Sequence, residues 1–180
     1  MTTRRIMIDP GTTTHGLVVT EGRYVVASDS AADSATVEEW IRLSAPCLVL
    51  VERIQAHGIA GNDVIRTAEW SAHFRAIALE HDRDCAWLYR RHVKRALDVS
   101  GRSSDAVIRA RLRSEYGEPA WQTAKLCPRR KAKSHTVDCP ACGGSGFSRR
   151  AGWLAQVKGH AVQALALSLA YDLGAREVTP

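Results

Sequence analysis

No window of this 180-residue chain comes near the roughly 18 consecutive apolar residues that a membrane span requires. Nor does Met1-Thr2-Thr3-Arg4-Arg5 open a signal peptide, since it leads into a strand and not into an apolar region. A soluble, cytoplasmic protein with no membrane partner is the expectation. A disulfide framework is missing too. The cysteines are five, an odd number scattered over Cys47, Cys85, Cys127, Cys139 and Cys142, unlike those of a small secreted domain. Cys47 and Cys85 lie in apolar, strand-like runs and read as core thiols. Internal repeats and low-complexity tails are absent. Acidic residues are in deficit, 19 against 25 Lys and Arg, and the resulting charge of +6 points to an anionic partner, of which nucleic acid is the commonest. The length allows one domain with a proper core but not two lobes of ordinary size, so residues 1–180 are expected to form a single domain.

What is present is an ordered alternation of strands and helices. Arg5 to Asp9 is an apolar strand, and Gly16 to Thr20 and Arg23 to Ala27 are β-branched runs joined by Glu21-Gly22 in hairpin fashion. Ser34 to Leu43 reads as a helix, with Ser34 or Thr36 as cap and Glu38 and Glu39 in the first turn. Cys47 to Glu52 is continuously apolar until its last residue, as in a strand buried on both faces. Asp63 to Asp82 places Ile65, Ala68, Ala72, Ile77 and Leu79 at helical spacing, and Cys85 to Tyr89 reads as a fifth, parallel strand. A further helix over Ala106 to Tyr116 has Val107, Ile108 and Leu112 inside, and Gln156 to Leu173 is a helix with apolar residues on nearly every face. The class is α/β, a mixed five-stranded sheet flanked by helices.

Chemistry gathers at the strand ends. In α/β sheets ligands collect at the carboxyl ends of parallel strands, and Asp9 and Glu52 end two of them. Two neighbouring carboxylates repel, and Mg²⁺ or Mn²⁺ with phosphate oxygens would relieve the repulsion. His160 and Gln163, three apart near the start of the last helix, share one face and would complete the site. Such a cluster fits two-metal phosphodiester hydrolysis, with Asp9, Glu52 and His160 as ligands. Blander readings stand beside it: an Asp-Pro-Gly turn at Asp9, a satisfied helix-start histidine at His160, and a core-edge hydrogen-bonding role for Gln163.

Between Ala120 and Ala151 periodicity disappears, and this 120–151 stretch reads as a loop insertion before the last helix. Cys139-Pro140-Ala141-Cys142 forms a C-x-x-C knuckle, and with Cys127 and His135 it could supply four ligands to a structural Zn²⁺, or remain an unmetallated loop. Arg129, Arg130, Lys131 and Lys133 surround the knuckle; they are either solvated loop or phosphate contacts for DNA.

These residues resemble the RuvC-like Holliday junction resolvases of the ribonuclease H-like superfamily, particularly small phage-encoded members. Ile6-Met7-Ile8-Asp9-Pro10-Gly11 with Gly16 looks like the family's opening strand and first catalytic Asp, and Leu50-Val51-Glu52 like its second acidic strand end. Arg90 to Arg95 is a basic run, and its His92-Val93-Lys94, then Gly101-Arg102-Ser103-Ser104-Asp105-Ala106 leading into the next helix, is similar to the family's DNA-contacting turn and helix, although a lysine often found there is replaced by Ser104 and Asp105. The last helix matches at His160, while Gln163 departs from the carboxylate usual at the fourth position. The resemblance implies catalytic roles for Asp9, Glu52, His160 and Gln163, DNA contacts from Arg91, Lys94 and Arg102, and a homodimer that nicks branched DNA with Mg²⁺ or Mn²⁺.

Two other functions compete. Asp9-Pro10-Gly11-Thr12-Thr13-Thr14 is similar to the phosphate-cradling turn of actin-like ATPases and sugar kinases, which need a second phosphate loop and a second lobe. A branched-DNA-binding protein of the same fold, catalytically weakened by Gln163, is the other alternative.

Overall fold

In a computed structural model the described residues are 4–22, 24–44, 46–54, 60–100, 104–117, 125–126, 147–149, 154 and 157–175. They fall into two compact units, residues 1–112 with 157–180, and residues 113–156. The first unit contains a five-stranded sheet built from β1 (Arg4–Asp9), β2 (His15–Glu21), β3 (Tyr24–Ala32), β4 (Cys47–Arg53) and β5 (Asp84–Tyr89), in the order β3-β2-β1-β4-β5. The first three strands form an antiparallel meander, and β4 and β5 continue the sheet parallel to β1. This is the mixed five-stranded sheet expected from the alternation of strand and helix signals. In the second unit, β6 (Lys125–Leu126) pairs antiparallel with β7 (Phe147–Arg149).

Alternation along each strand sorts side chains onto two faces. Ile6, Ile8, Leu17, Val19, Val49 and Val51 share one face and pack with Val37 and Ile41 of α1 (Ser34–Leu43) and Phe74, Ile77 and Ala78 of α2 (Asn62–Glu80). Met7, Val18 and Leu50 are buried at the intervening positions. The helix α5 (His160–Asp172), numbered after α3 (Arg90–Ala96) and α4 (Asp105–Tyr116), packs on β1, β2, β3 and β4. Every residue of α5 from Ala161 to Ala170 is buried, so its all-round apolar surface is spent in the core. Burying a leucine such as Leu165 or Leu167 stabilises the fold by roughly 1.5–3 kcal/mol.

Several local expectations are corrected. The cap of α1 is Asp33, whose side chain accepts from the Thr36 N–H at 2.7 Å; Glu38 and Glu39 consequently lie beyond the first turn. The inward face of α2 is Thr67, Ser71, Phe74, Ile77 and Ala78, while Ile65 and Leu79 are exposed. Two hydroxyls take core positions because each has a carbonyl partner: Thr67 donates to Asp63 and Ser71 to Glu52, both at 2.8 Å. Val107 is exposed, whereas Ile108 and Leu112 are buried as their spacing implies. The basic run from Arg90 is the helix α3, and α5 begins at His160 rather than near Gln156. Cys47 is a buried thiol, with Sγ 3.1 Å from the Ser44 carbonyl oxygen, and Cys85 packs at the edge of the core.

Gly16 sets how closely α5 approaches the sheet. A Cβ there would collide with the His160 carbonyl and lie 2.8 Å from His160 Cβ. Gly16→Ala should therefore destabilise the protein by about 1–3 kcal/mol, the usual range for overpacking, as read from the urea unfolding midpoint. An unchanged midpoint would contradict the close approach.

Candidate functional site

The parallel register of β1 and β4 pairs Ile8 with Val51, so the next residues, Asp9 and Glu52, leave adjacent strands at the same level and on the same face. Both are almost fully buried, at 4% and 3% exposure. Asp9 is paired across the sheet with Gly16, the residue on which the first turn of α5 rests. That contact brings His160 to Asp9, with Nδ1 2.9 Å from Oδ2. It also sets the positive end of the α5 dipole near the Asp9 carboxylate. Gln163, one turn further along α5, is buried and its Nε2 has no hydrogen-bond partner among the described residues.

Glu52 is held in an electrostatically unfavourable position. Burial comes first, then the Asp9 charge and a carboxyl hydrogen bond with Asp9, and together they hold its pKa well above 4.5, against the pull of Arg90 and Lys94. Arg90 Nε lies 3.6 Å from Glu52 Oε1, and its Nη2 lies 3.7 Å from Asp105 Oδ1. Oε2 of Glu52 is buried without a hydrogen-bond partner among the described residues. On the other side of the cluster, the Asp9 hydrogen bond raises the His160 pKa above 6.5, more than partial burial lowers it. The imidazole of His160 stays half exposed.

The four residues expected at the site, Asp9, Glu52, His160 and Gln163, thus stand on neighbouring strand ends and one helix face. Lys94 lies on α3 one turn beyond Arg90, within electrostatic reach of Glu52. Arg91 is turned to the Tyr89 ring, 5.3 Å from its centroid, and to His92 Nε2 at 3.2 Å. Sequence reasoning passed over Arg90 and His15. Arg90 stands in a basic run in which only the β4–β5 register marks it as the residue beside Glu52, and His15 carried no signal. Arg102, Arg129, Arg130, Lys131 and Lys133 lie outside the described residues, as do Cys127, His135, Cys139 and Cys142.

Among the described residues no three His, Cys, Asp or Glu side chains converge into a ready-made metal cage. The donor set nevertheless suits a hard cation. Mg²⁺ is commonly held by one or two carboxylates, with waters and substrate phosphates completing its shell, and Glu52 offers a buried oxygen with no other partner.

No family model matches the sequence, and no curated protein matches it. Among solved structures, RuvC from Thermus thermophilus aligns with a TM-score of 0.58 at 16% identity, covering 97% of this chain and 99% of that one. The fold is RuvC-like. A second structure, T. thermophilus RuvC in complex with a Holliday junction substrate, aligns with a TM-score of 0.59 at 17% identity, covering 98% of this chain and 99% of that one. The expected mixed five-stranded α/β fold is thus shared with these two RuvC structures. The described helices include none long and apolar enough to cross a membrane.

The raised Glu52 pKa gives a signed pH dependence. The folded chain retains a proton that the unfolded chain releases above about 4.5, so the Glu52 contribution to stability is fully present below that pH and is lost as pH rises through the folded value. His160 acts in the same direction, stabilising below 6.5 and losing that contribution as pH passes its raised value. Glu52→Gln, neutral at every pH, should be more stable than the wild type at about pH 8 without divalent cations, and the difference should close near about pH 4. Thermal unfolding of both proteins across that range checks this; a gap that widens in acid would contradict it.

Proposed function

We propose that this protein is a structure-selective, metal-dependent endodeoxyribonuclease that nicks Holliday junctions or closely related branched DNA by phosphodiester hydrolysis. The observation that carries this reading is the buried Asp9–Glu52 pair capped by His160 at the carboxyl ends of adjacent parallel strands in a RuvC-like fold. The Holliday junction in the complex of the T. thermophilus protein indicates the substrate class.

In this reading Asp9 and Glu52 hold Mg²⁺ or Mn²⁺, with His160 and Gln163 beside them. A cation held there would supply a more acidic water and neutralising charge for the phosphate. The residues of the chain do the rest. His160, held at Nδ1 by Asp9 and half exposed, can keep a proton at the edge of the site and give it to the departing oxygen. Arg90 and Lys94 of α3 offer phosphate-neutralising charge near Glu52, and Arg91, Arg102, Arg129, Arg130, Lys131 and Lys133 are proposed as further contacts to DNA phosphates. Cys127, His135, Cys139 and Cys142 are proposed to bind a structural Zn²⁺ that organises the inserted stretch. The described residues of one chain supply the single Asp9–Glu52 site, and a junction has two opposed scissile strands, so a homodimer suits symmetric nicking.

Gln163 favours a second reading. An amide where a third carboxylate would add charge weakens cation binding, and the protein would then bind branched DNA while cleaving it slowly. Incubation with a labelled four-way junction plus Mg²⁺ or Mn²⁺ separates the two. Paired nicks that fall by at least about 100-fold in Asp9→Asn and Glu52→Gln, beyond the effect typical of outer-sphere partners, support the nuclease. Binding without cleavage in either metal, with nicking restored by Gln163→Asp, supports the weakened protein instead.

A further inference from the structure

The turn that aims Asp9 is held from the opposite face of the sheet. Asp9 and its cross-strand partner Gly16 face α5, so His15, one residue earlier in β2, points the other way, toward α2. There its ring packs edge-on against Phe74 at 4.8 Å and Trp70 at 5.2 Å, and it is completely buried. From that position its Nδ1 accepts a hydrogen bond from the Gly11 N–H at 3.2 Å. Gly11 sits inside the connection between β1 and β2, where the chain doubles back so tightly that a Cβ on Gly11 would collide with the Thr14 carbonyl.

Packing alone does not call for a histidine here. With Nδ1 accepting, the neutral ring carries its proton on Nε2, and Nε2 is buried with no hydrogen-bond partner among the described residues. A buried orphan donor costs about 1–3 kcal/mol, which a phenylalanine in the same aromatic pocket would avoid. The nitrogen facing Gly11 is the feature that a phenylalanine could not supply. Burial lowers the His15 pKa, more than the nearby Asp9 and Asp33 raise it, in keeping with a neutral ring that accepts.

We propose that His15 is a positioning residue: its Nδ1 fixes the Gly11 amide and, through the 10–14 turn, the direction in which Asp9 enters the site. The activity part of this inference rests on the nuclease reading; the turn-fixing part does not. Two substitutions pull its functions apart. His15→Phe keeps the aromatic packing and removes the acceptor, whereas His15→Asn keeps an acceptor oxygen at the corresponding atom and removes the ring.

The test measures junction cleavage, junction affinity, unfolding midpoint and hydrogen exchange of the Gly11 amide in metal-free protein. His15→Phe, which removes the orphan Nε2–H but leaves the Gly11 N–H without its acceptor, should stay close to the wild type in stability, yet lose about 10–100-fold in cleavage rate at unchanged junction affinity, with faster Gly11 exchange. His15→Asn should be less stable but cleave better than His15→Phe and keep Gly11 protected. Activity that follows stability, with His15→Phe at the wild-type rate and His15→Asn impaired, would overturn the proposal. So would Gly11 exchange unchanged in His15→Phe, or a wild-type His15 found protonated at Nδ1 by nitrogen NMR, a measurement that needs no variant to fold. If the wild type cleaves no junction, the nuclease reading fails by itself, and protection of Gly11 in wild type and His15→Asn but not in His15→Phe still decides whether His15 fixes the turn.

Discussion

Two carboxylates at the same level of adjacent parallel strands are the constraint around which this structure is arranged. Asp9 and Glu52 are both almost out of reach of water, and burial together with the neighbouring Asp9 charge makes ionisation of Glu52 harder. Such a pair is an electrostatic burden on folding that a purely structural sheet would avoid. Part of the burden is offset within the protein: His160 meets Asp9, Arg90 approaches Glu52, and the α5 dipole opposes the negative charge. The offset is incomplete, because one Glu52 oxygen has no hydrogen-bond partner among the described residues. A positively charged ligand is the natural complement of what remains.

The surroundings hold these groups rigidly rather than leaving their geometry to loops. The Glu52 backbone carbonyl accepts from Ser71, whose hydroxyl also receives the Trp87 Nε1–H at 2.6 Å, tying the end of β4 to α2 and β5. The guanidinium of Arg53, next in the chain, lies 4.1 Å from the Trp87 ring centroid. Gly16 lets α5 settle against β2, so His160 reaches Asp9 without a long side-chain detour. Site geometry therefore depends on contacts made on both faces of the sheet, a common requirement where charged groups must be kept close together.

Much of this was legible in the amino-acid sequence. An apolar strand ending in Asp9 and another ending in Glu52 announce themselves by pattern, and a helix with apolar residues on every face can only lie in the core. Three kinds of feature were not legible. The inward face of α2 uses Thr67 and Ser71, whose burial depends on carbonyl partners that no periodicity reveals. Arg90 is one of a run of basic residues, and only the β4–β5 register singles it out as the one beside Glu52. His15 gains meaning only when the fold puts Gly11 and two aromatic rings around it.

The central claim is that the Asp9–Glu52 pair is a divalent-cation site. Calorimetric titration of Mn²⁺ into metal-free protein, in wild type, Asp9→Asn and Glu52→Gln, tests it without reliance on DNA. Saturable binding in the wild type that either substitution removes, accompanied by a cation-dependent rise in the unfolding temperature of the wild type alone, is the predicted result. Equal binding in all three proteins, or none in the wild type, would contradict it.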